Sequence, residues 1–247
     1  MLVQIKKKVH DKQMLTTTKH KYLGDIVCSS GSNQENIKDR CSTGHGAISQ
    51  IKSLMNDISL GKFTINIGLI LRDSIFLSKM LLNSEVWHSV TKCQIEELEV
   101  IDRMLVRHTL NAHSKTALEW MYSDTGRYNL KSVIQIRRFM YLWHILSRDN
   151  DELIHRIYQT QKNSSSVGDW FRLVEADKHE LGIDMTDEEI QGVSQEVFKT
   201  VVKKKVKISY LHHLNSLKAK HSKSKFLECT DVKMGECRVS ERSKAQQ

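Results

Sequence analysis

Proline is missing from all 247 residues, where average usage would place on the order of a dozen. Proline interrupts helix interiors and marks turns, so its absence suits a largely helical chain whose turns fall to Gly, Asn and Ser. No Cys-x-x-Cys occurs among Cys28, Cys41, Cys93, Cys229 and Cys237. Odd in number and widely spaced, they read as free thiols of a reducing compartment. With no apolar leader segment, the expected setting is nuclear or cytoplasmic and not secreted. No apolar run reaches the roughly 18 residues of a membrane span. The richest window, from Ile65 to Leu82, is interrupted by Asn66, Arg72, Asp73 and Lys79, which are costly in lipid and ordinary on the rim of a buried helix. A membrane role is therefore not expected.

Catalytic patterns are missing too. Two-metal nucleotidyl transfer needs carboxylates that hold cations about 4 Å apart, and no Asp-Asp pair occurs. Asp149 and Asp151 flank Asn150, and Asp187-Glu188-Glu189 stands where a helix begins, a place where acids complement the helix dipole without a metal. His212, His213, His221 and Cys229 fit no zinc-finger spacing, and His108 with His113 lacks a cysteine pair to complete it. Ser42-Thr43-Gly44-His45-Gly46 lacks the lysine and glycine spacing of a phosphate loop. No acid, base and nucleophile can be assembled by spacing, so the expectation is a non-enzymatic chain with no cofactor.

What the chain does have is positive charge, +9 overall, and 39% apolar residues, enough for a buried core. Lys199, Lys203, Lys204, Lys205, Lys207, Lys218, Lys220, Lys223 and Lys225 occur with no acid between Glu196 and Glu228. Such a helix draws phosphates with a salt dependence set by how many it neutralises. A solvated basic face with no ligand, or nuclear targeting by Lys203-Lys204-Lys205, accounts for the same run. Val201, Val202, Val206, Leu211, Leu214 and Leu217 imply that the helix also packs on something. Arg137 and Arg138, near Tyr141 and Trp143, and Lys6-Lys7-Lys8 are further candidate phosphate contacts. Phe139, Trp143, Trp87, Trp120 and Trp170 read as packing anchors.

Along the chain, Val3-Gln4-Ile5 and the run from Tyr22 to Val27 are β-compatible and are expected to pair as a hairpin. Ile37, Cys41, Gly44, Ile48, Ile51, Met55 and Ile58 alternate steps of four and three, one side of a helix about six turns long. Gly44 and Gly46 within it are either tolerated on a core stripe or admit a nucleic-acid backbone. Phe63 to Leu82, apolar on nearly all sides, predicts the central helix of a bundle. Thr91 with Gln94 and Thr186 with Glu189 are capping-box patterns. The first opens an amphipathic helix toward Leu110, and the second predicts one long helix through about Leu217. Shorter helices are expected over 117–122 and 130–146, a linker at Asn163-Ser164-Ser165-Ser166, and a cap by Asp169.

Lys21-Tyr22-Leu23-Gly24-Asp25-Ile26, with Gly31-Ser32-Asn33 and the long helical pattern behind it, resembles the block downstream of the catalytic Tyr-x-Asp-Asp in reverse transcriptases of non-LTR retrotransposons. There a palm-edge hairpin hands over to a helical thumb. Asn83-Ser84-Glu85-Val86-Trp87, Gln94-Ile95-Glu96-Glu97-Leu98-Glu99 and Leu110-Asn111-Ala112 are similar to later segments of such proteins, so that the likeness spans residues 3 to 222. It implies a mainly α fold, with an N-terminal β-hairpin followed by a thumb-like helical bundle and a long basic C-terminal helix. The implied parts are a palm-edge hairpin over 1–30, a thumb-like domain over 31–150 and a C-terminal helical segment over 151–225; the helical pattern fails after about Leu227, and a disordered tail is expected over 226–247. It also implies a truncated polymerase fragment that binds an RNA or DNA template-primer duplex without sequence preference. Tyr22 and Gly24 would then be primer-side residues, although Gly24 reads equally as a turn glycine. The alternative is a helical module that binds protein through exposed apolar helix faces.

Overall fold

A computed structural model describes residues 8–9, 12–13, 17–57, 65–164 and 169–220. The fold is mainly α. Two short antiparallel hairpins come first: β1 (Lys8–Val9) with β2 (Lys12–Gln13), and β3 (Lys19–Tyr22) with β4 (Asp25–Cys28). Val3-Gln4-Ile5 lies outside the described residues, and the run from Tyr22 to Val27 is not one strand. It reverses at Leu23 and Gly24, both at positive φ (47° and 93°), the two-residue turn whose twist suits a hairpin.

Ten α-helices follow among the described residues: α1 (Gln34–Asp57), α2 (Ile65–Leu71), α3 (Leu77–Met80), α4 (Lys92–Thr109), α5 (Leu118–Thr125), α6 (Leu130–Leu146), α7 (Leu153–Asn163), α8 (Trp170–Leu181), α9 (Asp187–Gln191) and α10 (Gln195–Lys220). The stripe read along α1 faces inward, with Ile37, Gly44, Ile48 and Ile51 buried; Ile58 lies outside the described residues. A Cβ at Gly44 would stand 3.2 Å from Met80 Sδ and 3.3 Å from Ile101 Cγ2. This glycine thus lets α1 approach α3 and α4, and no room is left there for a nucleic-acid backbone.

The expected central helix is α2 and α3 joined by a π-helical turn, Arg72–Phe76. Its extra residue per turn re-aims the side chains, and Arg72 is buried in the interior instead of lying on the rim. Thr91 forms the expected capping box, accepting from the Gln94 backbone while the Gln94 side chain accepts from Thr91 N–H. Thr186 and Glu189 do the same, but their helix ends at Gln191. Gly192 interrupts it, and the long helix starts afresh at Gln195, where Ser194 Oγ accepts from Val197 N–H. Asp169 occupies the cap position of α8 through its backbone carbonyl only. Ser165 and Ser166 of the expected linker and the tail over 226–247 lie outside the described residues.

Two cores share α6. Leu130 and Ile134, near its start, join Ile37, Ile51, Phe76, Leu98 and Leu105. Phe139, Leu142, Ile145 and Leu146, further along, join Trp170, Val174, Phe198 and Val202, so this second core draws on residues from both sides of Asp151. Polar staples cross between them. Trp170 Nε1 donates to the Glu85 carbonyl at 2.6 Å, and Arg137 donates to the Leu81 carbonyl.

Candidate nucleic-acid interface

The lysine run lies on α10, whose Phe198, Val202, Val206, Tyr210 and Leu214 are buried against α5, α6 and α8. Packing of that stripe, more than the helix propensity of a lysine-rich sequence, holds the helix in place. The lysines are not equivalent. Lys203 and Lys204 are exposed. Lys207 is half-buried, and Lys199 is partly neutralised by Glu196 at 3.5 Å. Lys205 is spent internally, its Nζ donating to the Gly182 carbonyl at 2.6 Å. Because Gly182 is the left-handed residue that ends α8, Lys205 ties α10 to that turn. Nothing is described of the side chains of Lys218 and Lys220, and Lys6-Lys7-Lys8, Lys223 and Lys225 offer no described side chain either.

Arg137 and Arg138 do not offer phosphate contacts. Arg138 is 6% exposed and paired with the buried carboxylate of Asp177. Arg137 is turned onto the Leu81 carbonyl, with Ser84 Oγ at 3.4 Å, and burial lowers its pKa from the ordinary arginine value. Both guanidinium groups are thus engaged inside the fold, Arg138 by an ion pair and Arg137 by a backbone carbonyl. Trp87 and Trp170 are buried anchors, as expected.

At the other end, Tyr22 and Leu23 are the exposed tip of the β3–β4 hairpin, at 64% and 76%. In a two-stranded ribbon the faces alternate. His20, Tyr22 and Val27 share the outer face and are exposed, while Lys19 and Lys21 reach Glu35 and Asp39 of α1 at 3.6 and 3.3 Å. Gly24 is a turn glycine: a Cβ there would come within 2.6 Å of Leu82 Cδ2. The hairpin is clamped from behind by a residue that sequence reasoning missed. Arg40, 3% exposed, donates to the carbonyls of Gly24 and, at 3.1 Å, Lys79. Asn83 adds a donor to Asp25 Oδ2 at 2.8 Å, and Asn36 accepts from Ile26 N–H at 3.3 Å. The only local signal was an arginine on the apolar side of α1, one residue before Cys41.

Two other places gather titratable groups. An open cavity of about 580 Å³ is lined by Lys162, Phe171, Lys178, Met185 and Asp187. Its charges satisfy one another: Asp187 accepts from Lys162 Nζ at 2.7 Å and from Tyr158 Oη at 3.0 Å. Burial raises the Asp187 pKa, but these donors outweigh it and leave the carboxyl below its usual range. Lys52 and His108 form a small second basic spot, where burial first and the Lys52 ammonium second lower the histidine pKa. Among the described residues no three His, Cys, Asp or Glu side chains gather as a metal ion requires, and no helix is long and apolar enough to cross a membrane.

The arrangement is thus a long helix with exposed lysines, packed on α5, α6 and α8, and a hairpin with an exposed aromatic tip, clamped by α1. No protein-family model matches the chain, and neither a curated protein nor a solved structure is found similar to it.

Proposed function

We propose that this protein holds nucleic acid without reading its sequence, as the post-palm helical part of a retrotransposon reverse transcriptase rather than as its catalytic part. The observation that carries this reading is the acid-free stretch from Val197 to Leu227, whose Lys203 and Lys204 face solvent on a helix fixed by its own buried stripe. The resemblance of the hairpin and of the segments behind it adds support, with Tyr22 at an exposed tip and Gly24 where the turn demands a glycine. The partner class is an RNA or DNA template-primer duplex, and a nuclear or cytoplasmic setting suits the free thiols Cys28, Cys41 and Cys93.

The test is fluorescence anisotropy of a labelled RNA–DNA primer-template across a salt series. With Lys199, Lys203, Lys204 and Lys207 engaged, log K against log salt should fall with a slope of roughly −3 to −4. A flat titration at low salt overturns the reading. With nucleotides and magnesium added, no primer extension is expected, and robust synthesis would overturn the non-catalytic part of the proposal.

A second reading, a helical module that binds protein, is favoured by one observation: α10 keeps apolar side chains on its outer side as well as on its buried one.

A further inference from the structure

The outer side of α10 has a register. Val197, Val201, Lys204, Ile208 and Leu211 follow one another at steps of 4, 3, 4 and 3 residues, the spacing of a coiled-coil seam. At 100° per residue these positions lie roughly opposite the buried stripe of Phe198, Val202 and Val206. Val197 and Ile208 are 52% and 57% exposed, and Val201 and Leu211 are partly so. Single exposed apolar residues are ordinary, whereas four in one register on a helix already packed on its other side form an apolar stripe, interrupted once by Lys204.

We infer that this seam docks an amphipathic helix whose apolar residues interleave with Val197, Val201, Ile208 and Leu211 and whose flanking residues are acidic. Charge complementarity fixes the partner's chemistry. Lys204 stands within the seam and Lys207 along its edge, with no carboxylate between Val197 and Leu227 to answer them. A second copy of α10 would set lysine against lysine, a like-charge contact that disfavours self-pairing. A Glu-flanked helix pairs each of them. Because α10 is already folded onto α6, only the partner bears the entropy of ordering. The seam is about two heptads long, which sets the affinity in the micromolar range rather than the nanomolar. The same lysines serve the phosphate contacts proposed above, so an acidic helix on this seam competes with nucleic acid.

The experiment titrates the full chain with a fluorescein-labelled synthetic helix of about 21 residues, three heptads with Leu and Ile at the seam and Glu at the flanks. A scrambled peptide of equal composition and a Lys-flanked version of the patterned peptide serve as controls. The patterned acidic peptide should bind saturably and the Lys-flanked one should not. Ile208→Ser, which removes the apolar side chain without adding charge, should weaken binding at least tenfold while leaving the circular-dichroism melt in place, since Ile208 is 57% exposed, and it should leave nucleic-acid affinity within about twofold. Lys204→Glu should weaken both ligands, and its contrast with Ile208→Ser, which weakens the peptide alone, separates failure of this inference from failure of the nucleic-acid reading. Equal binding of the scrambled peptide, an Ile208→Ser variant that binds as the parent does, or self-association of the chain abolished by Ile208→Ser would each overturn the proposal.

Discussion

Arg72 and Asp102 meet as a two-point ion pair inside the protein: Nε donates to Oδ1 at 2.6 Å and Nη2 to Oδ2 at 2.7 Å, with neither residue more than 1% exposed. Tyr122 Oη also donates to Asp102, at 2.9 Å, and Arg72 reaches the Tyr128 carbonyl at 3.0 Å. Burial alone lowers the arginine's pKa, but the Asp102 carboxylate outweighs it and keeps the guanidinium charged. One pair therefore connects the π-helical turn, α4, α5 and the start of α6.

Removing one partner should strand the other charge. Asp102→Asn is expected to cost about 3–5 kcal/mol in urea unfolding, whereas Arg72→Met with Asp102→Leu, which removes both charges, should cost much less. Equal losses in the two variants would show that the pair does not behave as a buried one.

The alkaline limit should come from tyrosines. Burial, followed for Tyr122 by the Asp102 carboxylate and for Tyr158 by Asp187, raises the pKa of Tyr122, Tyr158 and Tyr210. A folded pKa above the unfolded value of about 10 means that their contribution is complete below pH 10 and is lost as pH rises through the folded values. In a spectrophotometric titration these phenols should ionise together with unfolding, above pH 10 and with hysteresis, rather than as independent groups.

Two glycines of α1 should respond oppositely. Gly46 meets nothing within 4 Å, so Gly46→Ala should stabilise by about 0.5–1 kcal/mol through helix propensity. Gly44→Leu, forced against Met80 and Ile101, should destabilise by about 1–3 kcal/mol. Thermal melts of both variants check this.

At the hairpin turn, Gly24→Ala should cost about 1–2 kcal/mol for the left-handed backbone, and more while Leu82 stands in the way. Adding Leu82→Ala should recover the steric part only, which a double-mutant comparison of melting temperatures resolves.

Lysines of α10 and arginines of α6 should separate into two groups. Lys203→Glu with Lys204→Glu should lower nucleic-acid affinity and flatten the salt slope by roughly 2 at unchanged melting temperature. Arg138→Ala and Lys205→Ala should lower the melting temperature while leaving the slope unchanged.

Local features were the legible ones. Both capping boxes need only residues three apart, and the α1 stripe only a 3.6-residue period, so each was readable along the chain. The roles of Arg72, Arg138 and Arg40 were not, because their partners lie 30, 39 and 16 residues away for Asp102, Asp177 and Gly24. An arginine with a remote partner looks in sequence like one facing solvent. The break after α9 had a signal, Gly192 followed by Ser194, that was outweighed by the continuing apolar pattern. For the candidate interface, the charge of the lysine run was plain, but which lysines face solvent depended on how α10 rolls against α6 and α8. The outer register of α10 was hidden for the same reason: Val201 and Leu211 read as core until Phe198 and Tyr210 took the buried side.

Because α6 lines both cores, the helices behind the hairpin and the basic helix lean on the same element. A substitution that shifts α6 should therefore disturb the core behind the hairpin and the seat of α10 together.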